Sequence, residues 1–290
     1  MMAYAEPRPE RQATSAPDLP AAEGAAVRDE LNFREMERKG WPLVAAGYRV
    51  EVCEGRESLW VTLRSTEQRP GGNAGFALRT AWSPGSPLRV ETCEDGDDFR
   101  AFAVRSSLGR MRVRVRVPDR DRPLVRCTVR LTPAGDLTLP QQHWPRDLYP
   151  VDGSGDPAGT SGGVRTAHCG PDAGLVYLAM QTPEPRSLLY VQNLGALHDY
   201  FRATGTRPEG VVGGKWPELG FQPPARGATP LPAGREVTVS DVVLCVADQT
   251  PTDESESARL FLDLLSEAYR EIDRPAESAE DFCEEPRRRD

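Results

Sequence analysis

The chain has little of what several common functional classes require. It has no run of about eighteen consecutive apolar residues, so we expect no membrane-spanning helix. Its first ten residues lack the apolar stretch of a secretion signal, which predicts a cytoplasmic location. Histidine occurs only three times and never in the spacing of a metal-binding motif. We therefore expect neither a metal ion nor another cofactor.

Cysteine spacing and net charge exclude further classes. The six cysteines are widely separated and form no Cys-X-X-Cys pair. This spacing disfavours a zinc site and predicts free thiols in a reducing compartment. The formal net charge of −8 predicts no nucleic-acid partner, because phosphate binding needs a dominant basic face. The nearest matches to nucleophile-elbow and phosphate-loop motifs have the wrong spacing for either chemistry.

Turn-forming residues are abundant and favour an all-β protein. The 290 residues include 26 glycines and 27 prolines, so many turns must separate short elements. Residues 111–117 alternate apolar side chains with arginines, and residues 125–131 repeat this period of two. The turn residues between them predict an antiparallel hairpin. We interpret its arginine stripe as the solvated face of a sheet, with a nucleic-acid surface as the alternative.

The chain divides into four predicted segments. Residues 1–26 have no periodic apolar pattern and are expected to be a disordered tail, as are residues 275–290. Residues 27–254 are predicted to form one large antiparallel β-sandwich, or super-sandwich, with a few peripheral helices. Residues 255–274 place apolar side chains at helical spacing and predict an amphipathic linker helix at the C-terminal end.

Two short peripheral helices are expected within the sandwich segment. The first spans residues 27–39, where Gly40 would cap it and Pro42 would prevent its continuation. The second lies within residues 194–205 and ends at a glycine. Near the C-terminal end, residues 237–246 form a continuous apolar run, which predicts a strand buried on both faces.

Two stretches combine aromatic with charged side chains, HWPRDLYP at 143–150 and GKWPELGF at 214–221. Aromatic rings stack on the apolar faces of sugars, while planar polar groups hold the hydroxyls. With Asn193 added, the candidate ligand-binding residues are Trp144, Arg146, Asp147, Asn193, Lys215, Trp216 and Glu218. The alternative is that both tryptophans fill loop cores and the charged side chains form surface ion pairs.

A catalytic interpretation of the same loops also stays open. A pair of carboxylates can act as the acid and base of a glycosidase. Asp147, Asp199 and Glu218 are the candidates, but the sequence alone does not show whether any two of them face each other. We therefore assign no catalytic residue.

Three segments together resemble a known family. SLLYVQNLGALHDYF at 187–201, EGVVGGKWPELGFQPP at 209–224 and the preceding WPRDLYP are similar to the N-terminal β-sandwich domain of bacterial six-hairpin glycosidase-like proteins. The resemblance would cover residues 40–272. It implies a large β-sandwich, a linker helix and a following (α/α)6 barrel. Catalytic carboxylates of the family lie in the barrel, so the resemblance carries no catalytic residue over to this chain.

These observations lead to one favoured function and two alternatives. We expect a non-catalytic, carbohydrate-associated domain that shapes or recognises a glycan site, with an (α/α)6-barrel partner supplied by another chain. The first alternative is a glycoside hydrolase or lyase whose carboxylates lie in the 140–220 loops. The second is a structural interaction module without a small ligand.

Overall fold

A computed structural model of the chain describes residues 36–67, 75–139, 146–151, 164–180, 186–215, 218–224 and 229–272. Within these residues the fold is two antiparallel sheets stacked face to face, with a helix on one outer face. The predicted all-β sandwich is confirmed. The predicted tails at 1–26 and 275–290 lie outside the described residues.

The first sheet has seven strands in the described residues. Strands are numbered in chain order throughout. From one edge to the other, the sheet runs β1 (Glu37–Ala45), β2 (Tyr48–Glu54), β3 (Ser58–Ser65), β4 (Gly75–Trp82), β9 (Leu148–Val151), β14 (Glu218–Phe221) and β13 (Val212–Lys215). Its two edges are thus formed by the beginning of the described chain and by the hairpin β13–β14.

The second sheet has eight strands in the described residues. Its order is β10 (Val164–Gly170), β11 (Leu175–Met180), β12 (Ser187–Gln192), β15 (Val237–Ala247), β8 (Leu124–Pro133), β7 (Gly109–Arg116), β6 (Phe99–Ser106) and β5 (Arg89–Asp95). The predicted hairpin is β7–β8, in which Val113 pairs with Val129. The valine side is buried, while Arg112 and Arg114 face solvent, as the period of two predicts.

The main core lies between the two sheets and is built from their inward-facing apolar side chains. Strand β15 contributes to two cores at once. Its residues Val242 and Leu244 point into the space between the sheets, whereas Val243 and Cys245 lie under a helix on the outer face. The predicted burial of this strand on both faces is confirmed.

Two helices lie within the described residues. The short helix α1 (His198–Thr204) ends at Gly205, which has the left-handed φ of +66° that the predicted ending requires. The helix α2 (Glu254–Glu271) begins after Asp253, whose side chain accepts a hydrogen bond from the Glu256 N–H. No helix in the described part of the chain is long and apolar enough to cross a membrane.

Helix α2 packs on the outer face of the second sheet. Leu264 and Ala268 are buried there, and the Phe261 ring meets the Tyr177 ring edge-on at 5.5 Å between centroids. Arg122, just before β8, forms ion pairs with Glu267 and Glu271 near the end of the helix. The helix therefore covers apolar strand surface that would otherwise contact water.

The helix predicted at 27–39 is wrong over its last residues. Residues 37–39 belong to β1 and pair with β2, where Glu37 lies opposite Glu54. Gly40 has a φ of +70° and lies in the irregularity where the β1–β2 register shifts, so it is not a helix cap. Strand pairing overrides the weak local helical pattern. Residues 27–35 lie outside the described part.

Candidate functional site

The two stretches that combine aromatic and charged residues meet at one edge of the first sheet. The Arg146 N–H donates a hydrogen bond to Glu218 Oε1 over 2.8 Å. The Arg146 guanidinium donates to the carbonyls of Val211 and Gly220 over 2.9 and 3.1 Å. Leu148 pairs with Leu219 in the adjacent strands β9 and β14. Segments about seventy residues apart in the sequence thus form one corner of the sheet.

The hairpin β13–β14 explains the glycines of the second stretch. Lys215 pairs with Glu218, so the chain reverses direction between them. Gly214 and Gly220 have φ values of +112° and +100°, which favour glycine. A Cβ on Gly214 would collide with the Glu218 carbonyl oxygen, and one on Gly220 would collide with the Asp147 carboxylate. Gly214 thus allows β13 and β14 to approach each other closely, and Gly220 allows β14 to approach Asp147 and Leu148.

Asp147 ties this corner to the opposite sheet. Its carboxylate accepts a hydrogen bond from the Phe221 N–H over 2.7 Å and another from the Tyr190 hydroxyl over 2.9 Å. Tyr190 lies on β12 of the second sheet. The Asp147 side chain is 5% exposed. Its burial raises the pKa to about 7, although both hydrogen bonds and the charge of Arg79 favour the ionised form.

A short polar chain continues from Asp147 into the space between the sheets. The Tyr190 oxygen lies 3.3 Å from Gln192 Oε1, and the Ser240 hydroxyl donates to the same oxygen over 3.3 Å. Beside this chain is a cavity of about 20 Å³, lined in part by Arg79, Asp147 and Ser240. That volume suits a single water molecule rather than a larger ligand. We therefore interpret these interior polar groups as structural groups that position the corner of the sheet, and not as a ligand site.

Asn193 belongs to a second polar cluster in the second sheet. Its side-chain amide donates to Asp241 Oδ2 over 2.8 Å, and its backbone N–H donates to the Asp241 carbonyl. The Asp241 carboxylate is fully buried and also accepts two hydrogen bonds from Arg126 and one from Thr128. Arg126 in turn donates to the Glu271 carbonyl at the end of α2. The Asn193 side chain thus supports the contact between sheet and helix.

The structure describes the remaining candidate residues only in part. Trp144 and Trp216 lie outside the described residues, and Lys215 is described only as a member of β13. Asp199, one of the possible catalytic carboxylates, is exposed on α1 and forms an ion pair with Arg202 over 3.1 Å. Among the described residues, no group of three or more His, Cys, Asp or Glu side chains could hold a metal ion.

Sequence reasoning missed Tyr190 and Arg79 as parts of this corner. Tyr190 lies in the apolar run SLLYVQ, where a tyrosine reads as a core residue. A buried tyrosine hydroxyl needs a hydrogen-bond partner, and this is the signal that could have pointed to Asp147. Arg79 lies in the apolar strand β4, where its guanidinium stacks over the Trp82 ring at 5.1 Å from the centroid.

Comparisons of the sequence with protein-family models and with curated proteins found no match. The resemblance to the six-hairpin glycosidase-like proteins therefore stays a prediction based on the three quoted segments. The corner itself is defined by its contacts. It consists of a hairpin, a neighbouring strand and a buried carboxylate that links both to the other sheet.

Proposed function

We propose that this chain is a non-catalytic β-sandwich domain that recognises a glycan at the corner formed by β9 and the hairpin β13–β14. A helical catalytic barrel from another chain is its proposed partner. The observation that carries the proposal is the hydrogen bond between the Arg146 N–H and Glu218, because it brings the two aromatic stretches together.

The stiffness of the corner supports a binding role. Trp144 precedes Arg146 by two residues, and Trp216 and Pro217 connect the paired residues Lys215 and Glu218. The Arg146 guanidinium cross-links the hairpin to its neighbouring loop through two carbonyls. A frame that is rigid before binding loses less conformational entropy when the ligand arrives. Weakly bound polar ligands such as sugars gain most from this.

The surroundings of Asp147 favour recognition over catalysis. Both of its carboxylate oxygens accept hydrogen bonds from the protein, and the side chain is buried. A glycosidase needs two carboxylates that both face the scissile bond. The carboxylate of Glu218 is held by the Arg146 N–H. These groups are suited to positioning the corner.

The outward side of α2 supports the proposed helical partner. Leu262 and Tyr269 are exposed to 59% and 56%, whereas Leu265 packs on the sheet side of the helix. Leu262 and Tyr269 are seven residues apart and therefore lie on the same side of the helix, as in helices that pack against another helix. The opposite side of α2 is already occupied by the second sheet.

Calorimetric titration with a panel of neutral oligosaccharides tests the proposed glycan site. We expect saturable binding without turnover by the wild-type protein. Trp216→Ala should abolish that binding and leave the unfolding midpoint nearly unchanged, whereas loss of a core tryptophan would cost roughly 3–5 kcal/mol. The matched control is Trp41→Ala, because Trp41 is 75% exposed on β1 at the opposite edge of the same sheet. This control variant should bind like the wild type.

Three results would contradict the proposal in different ways. A large stability loss in Trp216→Ala with unaltered affinity would make Trp216 a core residue. Turnover of an oligosaccharide would favour the hydrolase or lyase alternative. Neither binding nor turnover across the panel would favour a structural interaction module.

A further inference from the structure

The outer face of the second sheet is covered on one half and bare on the other. Helix α2 packs over β8, β15, β12 and β11, where it buries apolar side chains. Strands β6 and β7 continue the same face beyond the helix. Their outward side chains include exposed arginines, to which β8 adds one more. We call this surface the arginine face, and it comprises Arg105, Arg110, Arg112, Arg114 and Arg130.

Arginines lie directly opposite each other across the strands of this face. Arg105 pairs with Arg110 between β6 and β7, and Arg112 pairs with Arg130 between β7 and β8. Like charges at directly opposite positions destabilise a sheet. Glu91 relieves the first pair, because its carboxylate forms ion pairs with both Arg105 and Arg110. The repulsion in the second pair is relieved much less.

The positive charge at the centre of the arginine face is only partly compensated, because the Asp98 carboxylate attracts Arg114 without forming an ion pair with it. Among the described residues, no carboxylate lies within ion-pair distance of Arg112 or Arg114. Arg130 reaches Glu236 only at 3.6 Å, and both side chains are well exposed. Such an exposed, long ion pair contributes little. Arg114 stacks on the Phe99 ring, 4.3 Å from its centroid, which fixes the position of its guanidinium without neutralising it.

The shape of this centre suits an extended chain. The side chains beside Arg112 and Arg114 on β6 are the small residues Ala103 and Ala101. Two arginines on the same side of one strand are about 7 Å apart, since each residue rises by about 3.4 Å. The arginines of β7 therefore place cations at regular intervals along the strand.

We propose that Arg112, Arg114 and Arg130 bind the carboxylates of an acidic glycan built from uronic acids. This inference rests on the proposed function for the ligand class, but its site is separate, because the hairpin β13–β14 belongs to the other sheet. Guanidinium groups bind carboxylates through two parallel hydrogen bonds. An anion between Arg112 and Arg130 would also remove their mutual repulsion.

A nucleic acid fits this face less well. The net charge of −8 and the carboxylates of Glu91, Asp98 and Glu236 oppose an acidic glycan as well as a phosphate chain, so they do not distinguish the two ligands. Single-stranded nucleic acids, however, need aromatic rings on which the bases stack. Phe99 is the aromatic residue in contact with this arginine row, and Arg114 already covers its ring.

The test is binding of a fluorescently labelled hexamer of galacturonic acid, measured by anisotropy. We expect Arg112→Gln combined with Arg114→Gln to weaken binding about tenfold or more, since each lost charge-assisted hydrogen bond lowers affinity. Wild-type affinity should fall as salt is added. The matched control is Arg202→Gln, which removes an exposed arginine from α1. Its affinity for the hexamer should equal that of the wild type.

Each further result decides between this inference and another explanation. Equal binding of the methyl-esterified hexamer, or equal affinity in the double variant, would overturn it, as would no binding at all. Arginine-dependent binding that is tighter for single-stranded DNA of equal charge would assign the face to nucleic acid. Trp216→Ala separates the two proposals, because it should leave hexamer binding intact. If Trp216→Ala loses binding of neutral glycans but keeps binding of the hexamer, the result bears on the corner site and not on the arginine face.

Discussion

Replacing Asp147 by asparagine should remove a pH dependence of stability that the wild-type protein carries. Burial raises the pKa of Asp147 to about 7 in the folded protein, whereas an aspartate in the unfolded chain has a pKa of about 3.9. Below about pH 4 both states hold the proton. Between about pH 4 and about pH 7 only the folded state keeps it, so rising pH favours unfolding.

The size of the effect follows from the width of this window. Each pH unit within it lowers the free energy of unfolding by about 1.4 kcal/mol. The window spans about three units, so the largest loss is about 4 kcal/mol. Above about pH 7 both states are ionised, and this contribution becomes constant. The stabilisation due to the raised pKa is thus complete below about pH 4 and is lost as the pH rises through the folded-state value.

Urea denaturation at closely spaced pH values from about 4 to about 8 measures this effect. Asparagine keeps an oxygen that can accept from the Phe221 N–H but does not titrate in this range. The free energy of unfolding of Asp147→Asn, relative to the wild type, should therefore increase with pH. Tyr190→Phe is the matched variant, because it removes a donor that favours the carboxylate and should extend the wild-type fall to higher pH. A difference that is constant across the range would refute the reasoning.

Two further pairs of substitutions test the fold. Val115→Asp should lower the free energy of unfolding by on the order of 4 kcal/mol, because it buries an unpaired charge between the sheets. Arg114→Ser on the exposed side should be nearly neutral. Equal unfolding midpoints of the two variants would show that the assignment of buried and exposed faces is wrong. Leu264→Asp should destabilise the domain by several kcal/mol, since Leu264 is buried between α2 and the second sheet. Leu262→Asp on the outward side of the helix should leave the unfolding midpoint unchanged and weaken association with a helical partner in a co-purification assay.

Where one face of a sheet is exposed to solvent, the period of the apolar pattern correctly predicted which side chains are buried. In β7, Val113 and Val115 alternate with exposed arginines, and their burial follows the alternation residue by residue. The continuous apolar half of β15 was equally informative, because a strand with two covered faces has no polar side. The segment at 37–39 shows where prediction from the local pattern fails. Its pairing with β2 is a long-range contact that no local spacing reveals.

The candidate site was predictable in part, as two stretches of suitable composition. Their meeting depends on the Arg146 N–H and Glu218, whose contact joins positions far apart in the chain. The role of Asp147 depends on Tyr190, which lies on the other sheet. Asn193 looked like a ligand group because its amide is polar, yet its amide is hydrogen-bonded to Asp241. Sequence composition indicates which groups are available, whereas the fold decides which ones are already in use.

The carboxylate of Asp147 is buried at a cost in free energy. Burying a charge carries a desolvation cost that hydrogen bonds only partly offset, and a well-packed apolar residue is often at least as stable. The role of Asp147 is instead to fix the positions of its two hydrogen-bond donors. It holds the Phe221 N–H in β14 and the Tyr190 hydroxyl in β12 at fixed distances, and its oxygen occupies the space that Gly220 leaves open. A group that fixes the hairpin relative to the other sheet at such a cost fits the preformed binding surface that we propose for this corner.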